Sequence, residues 1–122
     1  MREFASLDRC AAYVTARAAL AAVQRVAGSW PIVLAERARR SALETVRTTA
    51  EATSHSHGSA ERRRCLRDAI TSAVGVTASV DVAQAMGFRG ADLLAVQRDA
   101  GRTVALLAMF LHANTSPIPD DA

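Results

Sequence analysis

Arg39-Arg40-Ser41-Ala42-Leu43-Glu44-Thr45-Val46-Arg47-Thr48-Thr49-Ala50-Glu51 decides the fold. Read at helical spacing, Ala42, Thr45 and Thr49 fall on one side and Arg40 and Arg47 on another. Small residues on a helix face let a neighbouring helix come close, and the arginines place positive charge on a separate face. Such a helix belongs in a bundle.

Working outward, the helical pattern spans about 31–52. Leu34, Ala35, Ala38, Ala42, Thr45, Val46 and Thr49 form an inner stripe, while Arg37, Arg40, Glu44 and Arg47 follow one another at three- and four-residue steps on a charged face. Glu44 is placed to pair with Arg40 and Arg47, at a few tenths of a kcal/mol per exposed pair. Upstream, residues of about 3–27 form a first helix, with Leu7, Cys10, Ala11, Val14, Ala18, Ala21 and Ala22 on its stripe and Leu20 and Val23 widening it. Gly28 is the expected left-handed stop, and Pro31 fits the first turn of the next helix, where its missing N–H costs nothing.

Downstream, Thr53 to Gly58 is a polar loop. Ser59 is the N-cap of a third helix over about 59–86, with Glu61 in its first turn and Leu66, Ala69, Ile70, Ala73, Val76, Thr77, Val80 and Ala83 inside. Gly87 is the left-handed cap and Phe88 the residue that folds back over the end. A fourth helix covers about 91–113, and 114–122 reads as a flexible tail. Between Val104 and Leu111 no residue is polar. That predicts a second buried contact for this helix, through Leu93, Val96, Leu106, Met109 and Phe110 in an oligomer interface.

The composition agrees with an all-α, up-down-up-down antiparallel four-helix bundle in one domain. Half of the 122 residues are hydrophobic but only 4% are aromatic, and alanine favours closely packed helices over sheets. Short connections make successive helices antiparallel. No apolar run is long enough for a bilayer, and no signal peptide is evident, so the expected setting is the cytoplasm, away from membranes. Cys10 and Cys65 have no CxxC spacing and read as single thiols. His55 and His57 share the loop without an acidic or thiol partner close in sequence, so no metal site is expected there. Nor is a cofactor.

All fifteen basic residues are arginine and the formal net charge is +3. A GC-rich genome explains arginine without lysine; so does recognition of phosphate or carboxylate by the guanidinium fork. Arg62, Arg63, Arg64 and Arg67 crowd the start of the third helix, the wrong end of the dipole for cations. No Glu-x-x-His pair and no glycine-rich phosphate loop occurs, which argues against an enzyme.

Arg39-Arg40-Ser41-Ala42-Leu43 with Ala50-Glu51 resembles the "RRAAV…AEG" stretch of the small four-helix-bundle proteins encoded in 23S rRNA intervening sequences, a family that also includes the accessory variability determinants of diversity-generating retroelements. Trp30-Pro31 is similar to its aromatic-proline entry to helix two. Ala69 and Ser72 fall on its "ArGS" motif, and Met86-Gly87-Phe88 on its "LGY". Val46 stands where the family often has proline, Thr48 where it has asparagine, Ala52 where it has glycine and Gly75 where it has glutamate.

The resemblance implies a homopentameric ring. In the retroelement branch it also implies a basic surface for nucleic acid that docks on a reverse transcriptase. The resulting expectation is a non-enzymatic oligomeric accessory protein that holds RNA or DNA non-specifically through Arg37, Arg40, Arg47, Arg62, Arg63, Arg64 and Arg67. The alternative is a protein-interaction scaffold or adaptor with no nucleic-acid role.

Overall fold

Proline, serine and three glycines of positive φ divide the chain. The computed structural model describes residues 10–115, in which four α-helices form: α1 (Ala11–Val26), α2 (Ile32–Thr53), α3 (Ala60–Ala85) and α4 (Ala91–Thr115). The expected first turns of helix one before residue 10, with Leu7, and the tail beyond 115 lie outside the described residues. Ser59 caps α3 as expected, its Oγ accepting from the Arg62 N–H at 3.1 Å. Gly87 (φ 99°) closes α3 in a Schellman motif: the Phe88 N–H reaches the Ala83 carbonyl and the Gly87 N–H that of Gln84, both at 3.0 Å.

Gly28 departs from expectation. It has no positive φ; α1 instead tightens into a 3₁₀ turn over Ala27–Ser29, held by Trp30 N–H to the Ala27 carbonyl and Ser29 Oγ to the Val26 carbonyl. The extended backbone at Trp30 is the conformation that a following proline imposes, and it turns the indole into the core.

Each helix packs on its chain neighbours and α1 closes on α4. The direction is antiparallel. Arg39 Nε, early in α2, donates to Gln24 Oε1 late in α1, and Arg25 meets Asp92 at the start of α4. One end of the core gathers Val23, Trp30, Ala35, Ala38, Val80, Ala83, Leu93 and Val96. The other gathers Ala12, Ala52, Cys65, Leu66 and Leu107. Between them lies a waist of small side chains from all four helices, including Ala16, Ala42, Ala73 and Ala100, with no space for a water. Helices joined by alanine sit close enough that an added methylene would overpack them.

Buried hydroxyls mostly bond back to the preceding turn: Thr45 to the Ser41 carbonyl, Thr48 to that of Glu44, Ser79 to that of Gly75 and Thr103 to that of Asp99. Such bonds satisfy a polar group without a partner from another helix. The Thr103 and Thr15 hydroxyls also meet, 2.8 Å apart, across the α1–α4 contact.

The inner stripes of α2 and α3 agree closely with expectation. That of α1 agrees only in part. Ala22 and Val23 are buried as expected, but Ala12, Ala16 and Ala19 are inside as well, whereas Ala11, Val14 and Ala21 are exposed. A helix with alanine on nearly every face carries little periodic signal, so packing sets its rotation. In α4, Leu93 and Val96 are fully buried in the chain's own core, which removes them from any interface. Val104, Leu106, Phe110 and Leu111 are half-buried against the second core cluster, so the bundle itself covers most of the apolar run. Asn114, expected in the tail, lies within α4 and is buried. No helix among the described residues is long and apolar enough to cross a membrane.

Candidate functional site

The features that point to function lie along α2 and α3, at the two ends of their contact. Near the start of α2 the antiparallel pair leaves a groove of about 530 Å³ lined by Pro31, Val33, Leu34, Arg37, Ser41, Gly75, Ala78, Ser79 and Val82. Gly75 of α3 faces the Ser41 side chain of α2 in its lining: a Cβ built on Gly75 would lie 2.9 Å from Ser41 Oγ. Val33, which lines it, is 70% exposed and its neighbour Ile32 71%, and Val82 and Met86 are exposed on the α3 side. On α4 the exposed large apolar side chains are Leu94 and Met109. Among the described residues, more large apolar side chains are exposed on α2 and α3 than on the fourth helix.

At the far end, the Ser54–Ser59 connection is tied down by side chains. Arg62 donates from Nη1 to the His55 carbonyl at 3.2 Å, and Arg63 from Nη1 to the Gly58 carbonyl at 2.7 Å. Gly58 adopts φ 81°, and its N–H donates to Asn114 Oδ1 of α4 at 2.6 Å. Half of the cluster that stood against the helix dipole thus satisfies loop carbonyls.

The other expected contact residues divide. Arg47 bonds Glu44 through Nε and Nη2 and Glu51 through Nη1 at 3.0 Å. Its hydrogen bond, then its charge, holds the Glu44 carboxyl below the usual range. Arg40 is not part of that network. Arg37, Arg40, Arg64 and Arg67 are exposed with no ionic partner among the described residues. Arg37 and Arg40 lie in the first half of α2 and Arg64 and Arg67 at the start of α3, so antiparallel packing puts them at opposite ends.

Inside the loop end, a cavity of about 390 Å³ is lined by Cys10, Thr49, Ala52, Thr53, Arg62, Leu66 and Phe110. Thr49 Oγ1 and Arg62 Nε are buried without a hydrogen-bond partner. On the α2–α3 contact, Glu51, His55 and Cys65 bring a carboxylate oxygen, an imidazole nitrogen and a thiol within 4.8 Å of one another. The sequence reading missed this cluster. Glu51 is four residues before His55, on the same side of the helix end, but Cys65 joins them only through the pairing of α2 with α3. Cys65 and Cys10 are both free thiols.

Comparison with protein-family models, curated proteins and solved structures returned no match. The chain's own residues therefore carry the functional argument.

Proposed function

We propose that this protein is a non-enzymatic accessory module that assembles with copies of itself through the outer α2–α3 face. One observation carries the reading: the apolar groove lined by Val33 and Val82, which are exposed, as are Ile32 and Met86 on the same two segments. Exposed apolar surface of that kind marks an interaction site in a soluble domain, and the small residues Ser41 and Gly75 in its lining admit a projecting side chain. The resemblance to ring-forming four-helix proteins supports self-association, with five subunits as the number it implies.

Light scattering across a concentration series tests the reading. The wild type is expected above monomer mass, and Val33→Glu combined with Val82→Glu is expected at monomer mass with unchanged helix content. A wild type that stays monomeric at every concentration refutes it.

A second reading, non-specific binding of RNA or DNA, is favoured by Arg37, Arg40, Arg64 and Arg67, which have no ionic partner among the described residues. A ring would repeat them around its circumference, and a reverse transcriptase is the partner the resemblance implies. Arg47, Arg62 and Arg63 contribute less, because their guanidinium groups already serve Glu44, Glu51 and loop carbonyls. In a mobility assay, the logarithm of affinity should fall with that of salt at about 0.9 per phosphate contact on duplex DNA. Arg64→Ala with Arg67→Ala should flatten that slope.

A further inference from the structure

We propose that Glu51, His55 and Cys65 bind a divalent transition metal of the zinc class. The donor set is a carboxylate, an imidazole and a thiol, which are the ligand types zinc takes in proteins. Their donor atoms already lie within 4.8 Å of one another. A tetrahedral zinc site with the usual bond lengths places its ligand atoms roughly 3.5 Å apart. Closing that gap takes about 1 Å of side-chain movement, well within the reach of a glutamate with three rotatable bonds.

The surroundings favour the arrangement. Cys65 projects from a buried position in the second turn of α3, so one ligand is fixed by the core. The His55 backbone is held by its N–H to the Ala52 carbonyl and by Arg62 on its own carbonyl. The Glu51 carboxylate receives Arg47 Nη1 on Oε2 at 3.0 Å, which leaves its other oxygen for a metal. An orienting hydrogen bond on a ligating carboxylate is the usual outer-shell feature of such sites. Binding replaces the Cys65 thiol proton, which leaves to solvent, with a metal–sulfur bond. The metal charge is then balanced by one thiolate and one carboxylate, and water takes the fourth position. The metal would pin the end of α2 to the start of α3 across the loop that joins them.

Cobalt(II) is the probe, because its bond to a thiolate gives a near-ultraviolet charge-transfer band and a tetrahedral site gives intense visible bands. The full-length wild-type protein, reduced and metal-free, is expected to develop both on titration, and zinc is expected to abolish them by competition. Cys65→Ser should lose the charge-transfer band while Cys10→Ser keeps it, and His55→Ala should weaken cobalt binding at least tenfold. If Cys65→Ser does not fold, His55→Ala decides, since that residue is half-exposed on the loop. A wild type without the band, a band that depends on Cys10, or a His55→Ala variant that binds as the wild type does overturns the proposal.

Discussion

Gly75→Ala tests the contact between α3 and Ser41 of α2. The new Cβ would lie 2.9 Å from Ser41 Oγ and 3.4 Å from Ser41 Cβ. Alanine in place of glycine inside a helix is worth about 1 kcal/mol on propensity alone. Against this stands the overlap with Ser41, a half-buried side chain on a short stem, and overpacking of this kind costs about 1–3 kcal/mol. The clash wins or draws, so the single variant should be less stable than wild type by roughly 0–2 kcal/mol. Removing the hydroxyl changes the sign. In Ser41→Ala the facing atom is the Cβ at 3.4 Å, a tight but tolerable contact, and Gly75→Ala should then recover most of the propensity gain. The cycle predicts a favourable coupling of about 1–2 kcal/mol between the two substitutions. Urea unfolding of the four proteins at one fixed protein concentration measures it, and melting midpoints should follow at roughly 4 °C per kcal/mol for a chain of this size. Were Gly75→Ala alone to stabilise by the full propensity gain, with an additive cycle, Gly75 would not face Ser41 at this point and the groove lining described above would be wrong.

Leu107 is one of the largest fully buried side chains in a core built mainly of alanine and valine. Leu107→Ala should cost about 2–5 kcal/mol, whereas Leu94→Ala, on the exposed side of the same helix, should stay within about 0.5 kcal/mol in urea unfolding. Alkaline pH should also destabilise the metal-free protein. Burial first, then the charge on Glu51 and on Asp68, push the Cys65 thiol above its ordinary value of 9.0, with Arg64 opposing them. The unfolded chain therefore releases this proton before the folded one does, and stability is lost as pH rises from about 9 through the folded value. Without lysine, only Cys10, Cys65 and Tyr13 among the side chains compete in that range. Unfolding at pH 8 and pH 10 should show the loss in wild type and a smaller one in Cys65→Ala.

The four helices and two of their buried faces were legible because local physics writes them into the chain. Ser59 offers a hydroxyl to an otherwise unbonded N–H, Gly87 takes a conformation other residues avoid, and Pro31 cannot sit inside a helix. The stripes of α2 and α3 mix alanine with larger apolar residues and with charge, so their period carries information. The rotation of α1 was not legible, because alanine occupies almost every face and only the fit against α4, with Thr15 meeting Thr103, selects one. In α4 the apolar run reads as a surplus until the bundle is assembled, when Leu107 goes inside and its neighbours half follow. The arginines show the same limit. Their number is in the composition, but whether a guanidinium faces water or a loop carbonyl depends on where Gly58 and His55 end up. The cluster of Glu51, His55 and Cys65 depends on this most strongly. Glu51 and His55 are brought together by the turn that ends α2, where the His55 N–H bonds the Ala52 carbonyl, while Cys65 reaches them because antiparallel packing lays the start of α3 beside the end of α2, a pairing set by the bundle core and not by any local signal around the three residues.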